Sequence, residues 1–462
     1  MPRELLDRIV AQRILIAYSL LLPYIGTFYT TPEWVPATDH IGKIAPTPAV
    51  PSRRNHVNDI PLTAATTSLP LPLAGVRVLD LGHVFQGPYA TFLMATAGAD
   101  VIKIEPPGGD MTRRRARDGD YPFRALNGCK RGIVLNLKHA RGRELLIKLA
   151  QSADVLVENF APTVMPRLGL GVDVLLAANP RLIYASASGF GSTGPYANKL
   201  ALDLTIQAMG GMMSTTGELG GRPLKAGIPV ADFMAGAHLY GAIVTALFER
   251  ERTGRGRAVE VSMLEAMFAP LLPAAGHAYG SQHPPRRTGN RHVADSYVPF
   301  DTFEARDGWI AIVCATDEHW LKLTEAMQRP DLAADAGLRQ LSGRVARIDE
   351  VTEQIAAWAR VHGREEISAI CEKFRIPAAP LRDVQEVLDD PHLRARGFLA
   401  EYPTEAGPVA LPNSPMRYRG SALRPLSPPP GLGEHTASVL GELCGLDADT
   451  VAALHREGAI GG

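Results

Sequence analysis

Short apolar runs alternate with helical patterns from Leu73 onward. Val76–Leu81 and Val101–Glu105 predict two buried strands, and Pro88–Ala97 predicts a helix between them. A strand, a helix and a strand within about thirty residues form a βαβ unit with parallel strands. Further strands are predicted at Asp154–Val157, Arg181–Ser186 and Arg257–Val261. The pattern therefore predicts an α/β fold with a doubly wound, Rossmann-like parallel sheet, which binds ligands beyond the carboxyl ends of its strands.

The same pattern divides the chain into regions. Residues 73–293 are predicted to form the large α/β domain, which includes a long helix over Asp232–Glu251 and a polar loop between Gly276 and Val293. Residues 294–400 are predicted to form a smaller α+β domain, and residues 401–462 a C-terminal segment that returns to the large domain. The elements predicted in the smaller domain are a hairpin and three helices: Phe300–Phe303 with Trp309–Val313, then Glu318–Met327, Asp349–Val361 and Glu365–Phe374.

Residues 1–72 lack this periodicity and predict a poorly ordered N-terminal extension. The apolar run Ile14–Leu22 is too short to span a bilayer, which needs ~20 apolar residues. Glu4 and Asp7 precede it, where a secretory signal would be basic. No membrane segment is predicted.

Composition excludes several classes of protein. Lys+Arg and Asp+Glu balance at 48 each, which disfavours a nucleic-acid or anionic-membrane partner. The four cysteines form no CxxC pair, and the histidines show no HxxxH or HExxH spacing. We therefore predict neither a metal site nor a disulfide framework, and expect a cytoplasmic protein.

Asp203 is the most conspicuous candidate for chemistry. It follows the glycine turn Gly189–Pro195 and is the only ionisable residue between Leu200 and Gly217. A carboxylate among apolar residues and glycines, past the end of a strand, is a candidate nucleophile. The other interpretation is an N-cap, since Asp is a preferred residue at that position. The two roles are compatible, because a helix N-terminus favours negative charge.

Three further motifs each admit two interpretations. Gly189–Gly194 formally matches GxGxxG, but Pro195 follows it and the next helix is predicted only near Asp203, which argues against a dinucleotide site. The pair Lys130–Arg131 suits either solvent or a phosphate group. Asn159 follows a predicted strand, where it suits either a turn or a ligand contact.

Together these residues resemble the class III CoA-transferases, which include formyl-CoA, carnitine and succinyl-CoA–glutarate CoA-transferases. The resemblance covers residues 73–460. It is carried by many short motifs in order: Leu73–Asp80, Gly98–Glu105, Val157–Phe160, Gly189–Pro195, Asp203 with Gln207-Ala208, Thr253–Gly256, Asp307-Gly308 and Gly433–Thr436.

The resemblance implies a site and an assembly. Asp203 matches the aspartate that carries the acyl group and then CoA. The implied CoA-binding positions are Gln86, Lys130, Asn159 and Arg167, with Arg131 as a neighbour. A CoA thioester is expected as substrate, with no permanently bound cofactor, and the chain is expected to form an interlocked homodimer.

Two departures from the formyl-CoA transferase pattern bear on the substrate. Phe85 replaces a glutamine near the reacting carbonyl, and Pro106 replaces a CoA-contacting arginine. Both argue against formyl-CoA and oxalate as substrates.

The resemblance predicts CoA transfer through an aspartyl–acyl anhydride and an aspartyl–CoA thioester. An α-methylacyl-CoA racemase of the same superfamily is the alternative. That branch has Gly-His-Asp where this chain has Ala201-Leu202-Asp203, so the missing histidine favours transfer. A non-catalytic acyl-CoA-binding protein is a third interpretation, and it would not need Asp203.

Overall fold

The computed structural model describes residues 69–114, 120–404 and 407–461. The predicted N-terminal extension, residues 1–72, lies outside the described residues apart from residues 69–72.

A seven-stranded sheet organises the larger part of the structure. Its strands are β1 (Arg77–Asp80), β2 (Asp100–Glu105), β3 (Lys130–Leu135), β4 (Val155–Glu158), β5 (Ile183–Ser188), β6 (Ala258–Ser262) and β12 (Ile460–Gly461). Their order is β12-β3-β2-β1-β4-β5-β6, and β1 to β6 run parallel while β12 pairs antiparallel with β3. The predicted doubly wound parallel sheet is confirmed, with its switch point between β1 and β4.

Helices cover both faces of this sheet. Those of the first 300 residues are α1 (Gln86–Thr96), α2 (Tyr121–Asn127), α3 (Ala140–Ala150), α4 (Val164–Arg167), α5 (Val172–Ala178), α6 (Asp203–Met209), α7 (Met212–Thr215), α8 (Val230–Thr253), α9 (Met263–Ala266) and α10 (Leu272–Ser281). Alternate strand residues point to opposite faces, so Leu79 packs in one core with α3, and Val78 in the other with α1 and α8.

The helix α8 packs closely against α1 at Gly236. A Cβ at this position would lie 2.7 Å from the carbonyl oxygen of Gln86. In the described part of the chain, α8 is the one helix long and apolar enough to cross a bilayer. Leu239 and Ile243 of α8 are fully buried in the core beneath the sheet, which accounts for its apolar composition.

Two small sheets follow in the chain. The strands β7 (Phe300–Ala305), β8 (Gly308–Val313) and β9 (Ala378–Pro380) form one, and β10 (Leu399–Tyr402) with β11 (Val409–Pro412) forms the other. The helices are α11 (Asp317–Ala326), α12 (Pro330–Ala334), α13 (Leu341–Ala346), α14 (Ile348–Ala359), α15 (Arg364–Lys373), α16 (Val384–Leu388), α17 (Pro391–Ala395), α18 (Thr436–Cys444) and α19 (Ala448–Arg456). A separate hydrophobic cluster, with Trp320 fully buried, lies between the first small sheet and its helices.

One sequence prediction about local structure is wrong. Residues 276–281, predicted as the start of a loop, form the second half of α10 (Leu272–Ser281). Gly276 and Gly280 lie within this helix, so neither glycine marks a turn. Each also has space for a Cβ, with nothing within 4 Å. Glycine content misled the prediction.

Candidate active site

A cavity of 240 Å³ lies beyond the carboxyl ends of β1, β4 and β5. Gln86 lines it from the start of α1, Asn159 from the end of β4, and Asp203 from the start of α6. The structure therefore brings three of the predicted site residues together. They meet at the switch point of the sheet, where open α/β sheets bind their ligands.

Asp203 does not cap its own helix. Leu202 occupies the N-cap position of α6, and Asp203 is the first helical residue. Its carboxylate instead reaches the N-terminus of α8, where Oδ1 accepts the N–H of Ala231 at 2.8 Å and that of Asp232 at 3.4 Å. The positive end of this 24-residue helix stabilises the negative charge of Asp203. Asp203 therefore bonds the N-terminus of α8, whereas the sequence predicted that it would cap its own helix, α6.

Gln207 holds the other oxygen of Asp203. Its Nε2 donates to Asp203 Oδ2 one turn earlier on α6, and also to the carbonyl oxygen of Ile228 at 3.3 Å. Its Oε1 accepts the N–H of Ala226 at 2.8 Å. Gln207 is fully buried, so this amide fixes the orientation of the carboxylate. Sequence reasoning missed this role, although the spacing of four residues between a glutamine and an aspartate was a usable signal.

The loop between β1 and α1 forms the opposite wall of the cavity. Val84 adopts a left-handed conformation with φ of 64°, which a β-branched residue rarely does. Asn159 braces this loop through the backbone of His83: Asn159 Oδ1 accepts its N–H at 2.7 Å, and Asn159 Nδ2 donates to its carbonyl oxygen at 3.0 Å. Asn159 therefore both lines the cavity and holds its wall.

Gln86 lines this cavity and carries a buried donor without a partner in the described part of the chain. Its side chain is 2 % exposed, and in the described part of the chain its Nε2 has no hydrogen-bond partner. A buried donor without a partner costs about 1–3 kcal/mol. Such a cost is explained where a ligand atom completes the bond.

Lys130 lies outside the cavity, in a buried ion pair. Its Nζ donates to Asp80 Oδ2, to Thr91 Oγ1 and to Asn127 Oδ1, each at 2.9 Å. The side chain is 0 % exposed, so Lys130 has no donor directed at a ligand. Burial raises the pKa of Asp80, but Lys130 and Lys103 outweigh it and hold that pKa below its usual value. This geometry does not support the CoA contact predicted for Lys130. The sequence alone did not show that Asp80 is its buried partner.

The other two predicted cations also lie outside this cavity. Arg131 pairs with Asp100 at 2.7 Å and with Glu442 at 2.7 Å, near the amino ends of the strands. Arg167 is exposed at the end of α4, where its Nε donates to the carbonyl oxygen of Thr163 at 3.1 Å. Arg131 thus lies at the opposite end of the strands from the cavity, whereas Arg167 is exposed near the carboxyl ends of the strands.

A second cavity, of 520 Å³, adjoins the first. Both cavities are lined by His83 and Phe160, and the second extends along Leu135–Lys138 to Val164 and Leu168. Its lining is mainly apolar, and Lys138 is a cation that sequence reasoning did not single out. No motif marked Lys138, because its position depends on where β3 ends.

Glu158 is a buried carboxyl group directly before Asn159. Its Oε2 accepts the N–H of Phe160 at 2.8 Å, and its Oε1 accepts the hydroxyl of Tyr184 at 3.2 Å. Burial raises the pKa of Glu158 to about 7 despite these bonds. Its protonation state therefore changes near neutral pH, next to the wall of the cavity.

The fold and the site define an α/β protein whose helix-bound carboxylate lies at the carboxyl ends of the parallel strands. Known proteins share this fold. The model of CoA-transferase family III matches residues 73–436. The succinate–glutarate CoA-transferase of Agrobacterium fabrum is 35% identical over 80% of this chain and 96% of its own. The succinyl-CoA:mesaconate CoA-transferase of Haloarcula marismortui is 37% identical over 82% and 98%. A crystal structure of a CAIB/BAIF family protein from Brucella suis is 34% identical, with a TM-score of 0.74 over 81% of this chain and all of that one.

The chain belongs to CoA-transferase family III. It is accordingly a CoA-transferase, and the names of its relatives favour acyl transfer over racemisation.

Proposed function

We propose that this enzyme moves CoA from an acyl-CoA thioester to a free carboxylic acid through covalent intermediates on Asp203. The observation that carries the proposal is the carboxylate of Asp203, held at the N-terminus of α8 inside the cavity at the switch point. A carboxylate fixed in this way is oriented for attack and needs no proton removed first.

In the first step an Asp203 carboxylate oxygen forms a bond to the acyl carbon, and the carbon–sulfur bond breaks. The electron pair leaves on the CoA thiolate, and a mixed anhydride remains. The thiolate then attacks the Asp203 carbonyl carbon, and the anhydride carbon–oxygen bond breaks. The donor acid leaves as a carboxylate, and Asp203 carries CoA as a thioester. The acceptor carboxylate reverses both steps, so no net proton transfer is needed.

The N–H groups of Ala231 and Asp232 serve more than one step. They hold the carboxylate of the resting enzyme, with Oδ1 at 2.8 Å and 3.4 Å. When the thiolate attacks the Asp203 carbonyl carbon, negative charge develops on the oxygen that these donors already face. Preorganised backbone donors of this kind form an oxyanion hole.

The unpartnered Nε2 of Gln86 fits the oxygen of the incoming thioester. Gln86 lines the same cavity as Asp203, and its buried Nε2 lacks a protein partner in the described part of the chain. The carbonyl oxygen of the substrate thioester would complete its hydrogen bond and gains charge on attack.

The second cavity suits the distal part of CoA. It joins the first cavity at His83 and Phe160, offers an apolar surface for the adenine ring, and carries Lys138 for a phosphate. Arg167 lies on the short helix α4 (Val164–Arg167) beside it. In this arrangement Asn159 and Gln86 line the cavity that receives the thioester, whereas Lys130 and Arg131 do not contribute to it.

An isotope experiment tests the route. Acceptor acid carrying ¹⁸O in both carboxylate oxygens is given to the enzyme with an unlabelled acyl-CoA. The proposed steps leave one acceptor oxygen on Asp203 at each turnover, and the next donor acid released takes up an oxygen of Asp203. We expect ¹⁸O in the released donor acid, measured by mass spectrometry. Donor acid free of ¹⁸O during rapid turnover would contradict an aspartyl anhydride.

A further inference from the structure

An aromatic cavity lies on the other side of the wall that bounds the Asp203 cavity. Its volume is 360 Å³, and we call it the aromatic cavity; it is lined mainly by Phe85, Tyr89, Phe92, Tyr121, Phe233 and Phe398. The rings of Phe85 and Phe233 lie 5.7 Å apart, and those of Tyr89 and Phe233 lie 4.9 Å apart in an edge-to-face arrangement. The aromatic cavity is thus a shaped apolar site, not a gap between loops.

The aromatic cavity and the Asp203 cavity share two segments of chain. Val84 and Gln86 line the Asp203 cavity, while Phe85 between them lines the aromatic cavity. In α8, Asp232 lines the first and Phe233 the second. Ala231 donates to the Asp203 carboxylate and lies two residues before Phe233, so an acyl group attached to Asp203 would form close to this shared wall.

The described lining of the aromatic cavity offers no charge to a second carboxylate. Its lining residues are aromatic or aliphatic, together with prolines and Asn413. Asn413 is already engaged, because its Nδ2 donates to the carbonyl oxygen of Arg424 at 3.0 Å and its Oδ1 accepts the N–H of Ser414 at 2.7 Å. The hydroxyl of Tyr121 donates to the carbonyl oxygen of Ala410 at 2.8 Å. A carboxylate buried there would lose its hydration and gain no countercharge, since the hydroxyl of Tyr89 is a neutral donor.

We infer that the aromatic cavity binds the acyl chain of the substrate and that this enzyme acts on monocarboxylic acids with an aromatic or branched apolar side chain. An apolar cavity of about 150 Å³ already suffices to bind benzene, so a volume of 360 Å³ holds a phenyl ring with a short linker. Aromatic walls add edge-to-face contacts with such a ring. The inference rests on the proposed function, because it assumes an acyl group on Asp203.

The half-reaction on the enzyme provides the test without an acceptor acid. Phenylacetyl-CoA, acetyl-CoA and succinyl-CoA are each mixed with the full chain, and the rate of CoA attachment to the protein is followed by mass spectrometry. We expect the second-order rate constant of CoA attachment to be at least about tenfold higher for phenylacetyl-CoA than for succinyl-CoA, a ratio that an apolar pocket readily supplies. Equal or faster reaction of succinyl-CoA would overturn the inference.

Ala125→Phe fills the aromatic cavity from α2 (Tyr121–Asn127). We expect this variant to lose about tenfold or more in kcat/KM for phenylacetyl-CoA and to stay within about twofold for acetyl-CoA, whose methyl group does not reach the aromatic cavity. Ala177→Phe on α5 (Val172–Ala178), which lines none of these cavities, is the matched control. An equal loss for both thioesters in a variant with wild-type thermal stability would overturn the acyl-chain site.

Binding of free phenylacetate, measured by calorimetry, separates the two proposals. We expect the wild-type enzyme to bind phenylacetate and the Ala125→Phe variant to show no binding. If phenylacetate binds but no thioester attaches CoA to Asp203, the proposed function is wrong and the aromatic cavity stands as a binding site. If CoA attaches but phenylacetate does not bind, the aromatic cavity is not the acyl site.

Discussion

Both oxygens of the Asp203 carboxylate accept hydrogen bonds from the protein, and these bonds orient the carboxylate. The α8 backbone holds Oδ1, and Gln207 holds Oδ2 through its buried amide. A carboxylate that attacks an acyl carbon must point one oxygen at it, and a displacement of about 1 Å can cost on the order of a hundredfold in rate. Gln207 is therefore a positioning residue.

Gln207→Leu tests that role. We expect kcat to fall about 10- to 100-fold with little change in KM for acyl-CoA, because the amide orients Asp203 and does not contact CoA. Gln385→Leu is the matched control, since Gln385 also donates to an aspartate four residues away, Asp389, on an exposed helix. A rise in KM with unchanged kcat would contradict the positioning role.

Glu158 gives a pH-dependent contribution to stability. Burial raises its pKa in the folded protein to about 7, whereas an unfolded chain titrates near 4.5. Between these values the folded protein keeps a proton that the unfolded chain has released, so the free energy of unfolding falls as pH rises and levels off above about pH 7.

Glu158→Gln removes this titration. At pH 8 the variant should have a free energy of unfolding roughly 3–4 kcal/mol above that of the wild type, and near pH 4 the difference should vanish. Urea unfolding across this pH range measures the effect, with the exposed Glu304→Gln as control. A constant difference at all pH values would show that Glu158 does not titrate as described.

The loop between β1 and α1 rests on buried charges. Lys130 bonds Asp80 at 2.9 Å, and Lys103 bonds Asp110 at 3.1 Å, with all four side chains buried. Burial raises the pKa of Asp110, but Lys103 and the hydrogen bonds from Thr112 together outweigh it and lower that pKa to about 2. Lys103 also donates to the carbonyl oxygen of Gly82, two residues before the strained Val84, so these charges help to hold the wall of the active site in place.

Lys130→Met leaves Asp80 buried and without its cation. We expect a loss of about 3–5 kcal/mol in the free energy of unfolding, because breaking a buried ion pair strands a charge. Arg257→Met breaks the exposed pair with Glu249 and should cost about 0–1 kcal/mol. If Lys130→Met instead raised KM for CoA with unchanged stability, Lys130 would be a CoA ligand, as the resemblance implied.

Sequence patterns predicted elements better than contacts between them. The strand predicted at Val101–Glu105 is Asp100–Glu105, and the helix predicted at Asp232–Glu251 is Val230–Thr253, because apolar period and glycine ends are local signals. The partners of Lys130 and Asp203 lie 50 and 28 residues away. No local pattern encodes such pairs, so the sequence showed neither the buried ion pair of Lys130 nor the contact between Asp203 and the N-terminus of α8.

At the scale of the whole molecule, the described structure begins at Leu69. Leu69 donates its backbone N–H to the carbonyl oxygen of Gly420 at 2.8 Å, and the carbonyl oxygen of Pro70 accepts the hydroxyl of Ser421 at 3.2 Å. These bonds attach residues 69 and 70, which precede the predicted boundary at residue 73, to the C-terminal segment.

A chain that starts at Ser68 should fold and retain wild-type kcat and KM. We propose that it also keeps the homodimer implied by the resemblance, which light scattering after size-exclusion chromatography measures. A chain that starts at Gly75 lacks both bonds and is expected to be less stable, with a lower melting temperature. Loss of activity in the Ser68 variant would show that residues 1–67 take part in function.

The measurement that tests the central claim most directly is the mass of the enzyme after incubation with a reactive acyl-CoA and no acceptor acid. The account predicts a CoA adduct on the peptide that contains Leu200–Met213, attached to Asp203. Asp203→Asn should fold, bind CoA and form no adduct, because an amide does not readily give the anhydride, while Asn still accepts the N–H groups of α8. An adduct on another residue, or full turnover by Asp203→Asn shown not to have deamidated, would contradict the account.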